Sequence, residues 1–125
     1  MSWMKRYTEK TQAKNDANEQ VRTRLRSEIA CCDWCEKPGF ALHEIVRNHL
    51  RPHVAGLPAL ILALCDPGCH QEVGAWKPAK QLALLRIQRP HYFDLATFNR
   101  WSTARVTEED VDGYVDGLIS ELARD

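Results

Sequence analysis

The sequence predicts a mostly helical α+β domain built around a cysteine-rich centre, and three observations lead there. Apolar residues recur at helical spacing towards both ends of the chain. Two short runs of bulky apolar residues lie in the middle, and two close-set cysteine pairs, Cys32-Asp-Trp-Cys35 and Cys65-Asp-Pro-Gly-Cys69, accompany those runs. At 125 residues the chain has the length of one domain and can bury only a modest core, so help from a bound metal is expected. The expected organisation is a single domain over 1–125, with an N-terminal helix in 1–30, the cysteine-bearing core in 31–75 and C-terminal helices in 76–125.

Composition narrows the class. Hydrophobic residues at 44% and charged residues at 27% match a folded, water-soluble protein rather than a disordered or membrane one. The longest apolar run, Leu57 to Cys65, is interrupted by Pro58 and falls short of the ~20 residues that span a bilayer, so no membrane partner is expected. Residues 1–10 carry Lys5, Arg6, Glu9 and Lys10 with no apolar stretch behind them, which argues against a secretory signal and for a cytoplasmic location. Formal net charge is +0, yet Glu108, Glu109, Asp110, Asp112, Asp116, Glu121 and Asp125 crowd the segment after Thr107. The remainder is therefore basic and able to meet phosphates locally.

Taken in order, the elements begin with a charged helix over about Thr8 to Ala30, on which Val21, Leu25 and Ile29 form a thin apolar stripe. Arg22, Arg24 and Arg26 are read as lying off that stripe, facing either solvent or phosphate. Phe40 to Val46 reads as a strand, with Ala59 to Leu64 as its partner strand or a short helix. Between them, Arg47, His49, Arg51 and His53 are placed in a loop that is either solvated or in contact with phosphate. Pro78 suits the first turn of a second helix that buries Leu82, Leu84 and Leu85 and stops before Pro90. Asp94 is set to cap a short helix with Leu95, Phe98 and Trp101 on one side. Thr107 and Asp110 make a capping-box start for a last helix whose Val111, Tyr114, Val115, Leu118, Ile119 and Leu122 follow the i, i+3, i+4 rule. Gly113 and Gly117 within it each cost about 1 kcal/mol of helix propensity, so a close helix contact is expected there.

Four thiolates on two tight turns are a simple way to build a tetrahedral zinc site, and Cys32, Cys35, Cys65 and Cys69 are the expected ligands. Five cysteines in a chain without an export signal favour metal over a disulfide framework, and Cys31 is left over. The alternatives are buried hydrophobic cysteines or a redox dithiol, although no βαβ pattern accompanies the CxxC.

Taken together, Cys32-x-x-Cys35, Leu42-His-Glu-Ile45, Ala63-Leu-Cys65 and Cys69-His70 resemble the zinc-bearing HNH, or His-Me finger, nuclease family over roughly residues 32–73. That resemblance implies a ββα-metal core with a structural zinc on the cysteines and a separate divalent metal, magnesium or manganese. It also implies hydrolysis of DNA phosphodiester bonds. His43 and His70 match the family's metal-ligand positions, and Glu44 stands where the general-base histidine is usual, making His43 and Glu44 the expected catalytic residues. The chain departs from the family in having Gly74 at the optional second helix histidine and no amide side chain in Leu57 to Ile61. The stretch from Trp76 to Trp101 resembles the tails of phage-associated HNH-like proteins, implying a bacterial or phage-infected host cell. Two functions follow as expectations. One is an HNH-like metal-dependent nuclease or diverged descendant, with Arg22, Arg26, Arg47 and Arg51 meeting DNA; the other is a noncatalytic zinc module that binds nucleic acid or a protein partner.

Overall fold

The structure is a computed structural model that describes residues 2–46 and 51–124, with side chains over 12–46 and 53–124. Helix α1 runs from Ser2 to Glu28, starting earlier than the periodicity of its apolar residues indicates. Strands β1 (Ala41–Glu44) and β2 (Ile61–Leu64) form a two-stranded antiparallel sheet, joined through a short helix α2 (Arg51–Val54) and a 3-10 turn at Pro58–Leu60. Helices α3 (Gly68–Gly74), α4 (Pro78–Gln88), α5 (Leu95–Trp101) and α6 (Glu108–Leu122) follow. The fold is thus α+β and mostly α.

Register decides what each face of the sheet meets. Ala41 pairs with Leu64, Leu42 with Ala63, His43 with Leu62 and Glu44 with Ile61. Directly paired residues share a face and successive residues alternate, so Leu62 and Leu64 lie on the side of His43 while Ile61 and Ala63 lie on the side of Leu42 and Glu44. Leu62 and Leu64 belong to the main core, with Val73 of α3, Leu82, Ala83, Leu84 and Leu85 of α4, Phe98 of α5, and Val111 and Leu118 of α6. Leu42, Ile61 and Ala63 instead pack with Leu25 of α1, flanked by Val21, Ile29, Phe40 and Tyr92.

The helix starts follow local chemistry. Pro78 opens α4 after an extended Lys77, and the helix is buried well beyond one stripe, including Ala79 and Gln81. Asp94 caps α5, its carboxylate accepting the Thr97 N–H at 3.3 Å. The capping box of α6 is complete: Thr107 Oγ1 accepts from the Asp110 N–H at 3.1 Å, and the Asp110 carboxylate accepts from the Thr107 N–H at 2.9 Å. Helices α4 and α6 pack on each other.

Several expectations are corrected. Arg22 is buried, because it lies three residues before Leu25 and seven before Ile29, in the same row of the helix. His53 belongs to α2, its ring stacked on Trp101 with centroids 5.2 Å apart and 12° between planes. Gly113 and Gly117 have no close helix neighbour: a methyl group built on either meets nothing within 4 Å. Ile119 faces outward, 49% exposed. Among the described residues no helix is long and apolar enough to cross a membrane.

Candidate metal centre and histidine pair

The two cysteine turns converge. The Sγ atoms of Cys32, Cys35, Cys65 and Cys69 all lie within 4.8 Å of one another, with Cys35 and Cys65 3.5 Å apart. A tetrahedron of Zn–S bonds of ~2.3 Å has sulfur–sulfur edges of about 3.8 Å, so the cluster has the dimensions of a metal site. The backbone supports thiolates here. Trp34 and Cys35 N–H groups point at Cys32 Sγ at 3.4 and 3.5 Å, and the Cys69 N–H points at Cys65 Sγ at 3.5 Å. That last N–H is the main reason the Cys65 thiol is held down to about 7. Burial pushes Cys69 the other way. Four thiols so close cannot all ionise without a cation, and a cation is what the set can hold. Cys35 is exposed and Cys65 half-buried, which is not how hydrophobic filler cysteines sit. Cys31 is outside the group.

The first turn is pinned from three sides. The Cys32 N–H donates to the Lys37 carbonyl at 2.7 Å, and Glu36 turns the chain with a left-handed φ of 66°. Asp33, buried between Cys32 and Cys35 in the chain, contacts β2 through its N–H, which donates to the Ala63 carbonyl at 2.7 Å. Its carboxylate accepts the Ala63 N–H at 2.7 Å and pairs bidentately with Arg89 at 2.7 and 2.8 Å. Arg89 also donates to the Ile61 carbonyl at 3.2 Å, and Gln88 to the Asp33 carbonyl at 2.7 Å. This buried ion pair joins the cysteine turn, β2 and the end of α4. Nothing in the sequence signals it, since nothing local links Asp33 to a residue 56 positions away. Trp34 and Trp76 meet edge to face beside the centre, with centroids 4.9 Å apart.

His43 from β1 and His70 from α3 come together, their ring centroids 5.0 Å apart and 72° between planes. The two rings carry different outer partners. His43 Nε2 lies 2.9 Å from Gln81 Oε1, and His70 Nδ1 lies 3.6 Å from an Asp66 carboxylate oxygen. His43 thus has one nitrogen held by a hydrogen bond and one with no hydrogen-bond partner among the described residues, whereas the Asp66 carboxylate stays just beyond hydrogen-bond distance of His70. Burial lowers the His43 pKa from the ordinary imidazole value, favouring the neutral form that can donate a lone pair to a metal.

Glu44 does not join them. It follows His43 directly in a paired strand, faces α1 and forms an ion pair with Arg22 at 3.5 Å, both side chains largely buried. This separates the expected catalytic pair. Arg22 also donates to the Ala55 carbonyl at 3.2 Å, so it ties α1 to the core instead of facing phosphate. Arg26 is exposed and paired with Glu19 at 2.9 Å. Arg47 lies outside the described residues, as do Asn48, His49 and the side chain of Arg51. His91 is exposed, its ring against Tyr92.

Comparison with protein-family models, curated proteins and solved structures found no match.

Proposed function

We propose that this chain is a zinc-stapled ββα-metal module of the HNH type, a diverged metal-dependent nuclease that acts on DNA phosphodiester bonds. The observation that carries the reading is the meeting of His43 and His70 at 5.0 Å beside, and separate from, the four-cysteine cluster. The element order β1, β2, α3 supports it, with His43 on the first strand and His70 in the helix next to Cys69. On this reading zinc occupies Cys32, Cys35, Cys65 and Cys69 and holds the strands to α3. Magnesium or manganese bound at the histidines would supply Lewis-acid stabilisation of the leaving oxygen. His43 and His70 each offer one lone-pair nitrogen, one to hold the ion and the other to take a proton from the attacking water. Glu44 has no part in that step, because its carboxylate is turned to Arg22.

The same turn of Glu44 favours a second reading, a noncatalytic zinc module that binds DNA or a protein partner in the cytoplasm of a bacterial or phage-infected cell. The base position is spent on a structural ion pair, and Arg22 and Arg26 are engaged within the chain. Metal analysis of the purified protein, paired with magnesium- or manganese-dependent cleavage of plasmid DNA, tests both. One equivalent of zinc with cleavage lost in His43→Ala is expected of the nuclease. Zinc with salt-sensitive DNA binding and no cleavage would refute catalysis and leave the module.

A further inference from the structure

We infer that Gln81 is a positioning residue that fixes His43 as the Nε2–H tautomer and leaves Nδ1 as its ligand nitrogen. The inference rests on the proposed role of the histidine pair and names the residue that orients one half of it.

Gln81 is a polar side chain in an apolar helix, only 4% exposed, among Leu82, Ala83, Leu84 and Leu85, which are fully buried. A buried amide that leaves any of its groups unpaired is costly, so its partners define its orientation. Its Nε2 donates to the Trp76 carbonyl at 3.0 Å and to the Gly74 carbonyl at 3.4 Å. Both acceptors are backbone carbonyls with nothing to donate. Rotating the amide by half a turn would set Oε1 against two carbonyl oxygens, so the amide has one allowed orientation. Oε1 is therefore the atom that faces His43, and at 2.9 Å it can only accept. The proton must come from His43 Nε2, and in a neutral ring that assigns the lone pair to Nδ1.

The placement is rigid from both ends. Gln81 stands in the first turns of α4, where its own N–H bonds the Lys77 carbonyl at 3.2 Å, and His43 is held in register opposite Leu62. The carbonyls that orient Gln81 belong to the last residue of α3 and to Trp76 two residues beyond it, and α3 is the helix that carries His70. A single amide thus connects the strand histidine to the helix of its counterpart. A methyl group built on Gly74 would lie in ordinary contact with His43 Cε1, at 3.7 Å, so the end of α3 passes beside the ring. Outer hydrogen bonds of this kind set ligand tautomer, and losing one typically weakens metal binding by about 10- to 100-fold.

The test is nitrogen-15 NMR of the histidine rings in the zinc-loaded protein, above neutral pH, with manganese alone added afterwards. The wild-type protein is expected to show His43 protonated on Nε2, a measurement that needs no variant. Gln81→Glu keeps an acceptor for that proton and loses the donors, whereas Gln81→Met loses both. If Gln81 positions the ring, the tautomer persists in Gln81→Glu and becomes mixed in Gln81→Met, whose manganese affinity at the histidines falls by about 10- to 100-fold while zinc content is unchanged. A purely structural Gln81 would move both variants alike, which would overturn the inference, as would Nδ1–H in the wild type or an unmoved tautomer in Gln81→Met. Manganese that fails to broaden His43 and His70 in the wild type, with the tautomer as expected, would refute the metal role proposed above and leave the positioning of His43 standing.

Discussion

Removing the guanidinium of Arg89 is the most searching test of how the cysteine centre is held. Arg89→Met deletes two charge-assisted bonds to Asp33 at 2.7 and 2.8 Å and one to the Ile61 carbonyl at 3.2 Å. Asp33, 4% exposed, then keeps one donor, the Ala63 N–H on Oδ2, and its other oxygen has no hydrogen-bond partner. Breaking a buried pair from one side typically costs about 3–5 kcal/mol, because the remaining charge is stranded in a low-dielectric interior. For a domain whose total stability is of order 5–15 kcal/mol, that is a large share. Adding Asp33→Asn removes the stranded charge and retains an acceptor for the Ala63 N–H. The double variant should therefore recover most of the loss and lie within about 2 kcal/mol of wild type. Urea unfolding of the metal-loaded proteins, with metal content measured alongside, gives each value by linear extrapolation. An Arg89→Met loss below about 1 kcal/mol, or a double variant as unstable as the sum of its singles, would refute the stranded-charge argument.

Further outcomes follow from other positions. A methyl group on Gly56 would lie 2.5 Å from Asn18 Oδ1 and 3.0 Å from its Cα, so Gly56→Ala should cost about 1–3 kcal/mol in thermal unfolding, and Asn18→Ala should restore only part because the backbone clash remains. Glu36 pays for its left-handed φ of 66°, so Glu36→Gly should raise stability by up to about 1 kcal/mol in the same assay, and a loss would show that its side chain matters more than its backbone. The Thr107 N–H holds the Asp110 carboxyl below the ordinary carboxylate range; with a folded pKa below the unfolded value of about 3.9, its contribution is present above that value and lost as pH falls through the folded pKa. Acid unfolding of Asp110→Asn should therefore show a shallower pH dependence there than wild type. Chelation should remove binding energy on the order of 10 kcal/mol and collapse the near-ultraviolet signal of the Trp34–Trp76 pair, and an unchanged spectrum after complete metal removal would show that the core stands without the ion.

What could be read in the sequence was what local pattern encodes. The capping box at Thr107 and Asp110, Pro78 at a first turn and the Asp94 cap are decided within four residues, and all three are present. The cysteine cluster was legible because two short turns of the same ligand type have few other uses. Asp33–Arg89 and Gln81–His43 were not, since each joins residues 38 or more positions apart whose types have ordinary surface roles. Arg22 differs for another reason. The sequence stripe Val21, Leu25, Ile29 places it off the apolar face, whereas its helical phase with Leu25 and Ile29 puts it on the buried row, and Glu44 on the facing strand supplies the compensating charge.

The separation of His43 from Glu44 is a consequence of the ladder itself. Both residues are paired, to Leu62 and Ile61, and the ladder continues with the Ile45 N–H on the Leu60 carbonyl at 2.9 Å. Within an unbroken strand, neighbours must point to opposite faces, and bringing both to one metal would need a bulge that this register excludes. A histidine at position 44 would meet the same geometry, facing Arg22 of α1 and not His70. If the proposed nuclease reading holds, Glu44→His would therefore not supply a base by itself. On the nuclease reading proposed above, a proton acceptor would therefore have to come from the face that holds His43, His70 and Gln81, which also places Asp66 beside His70.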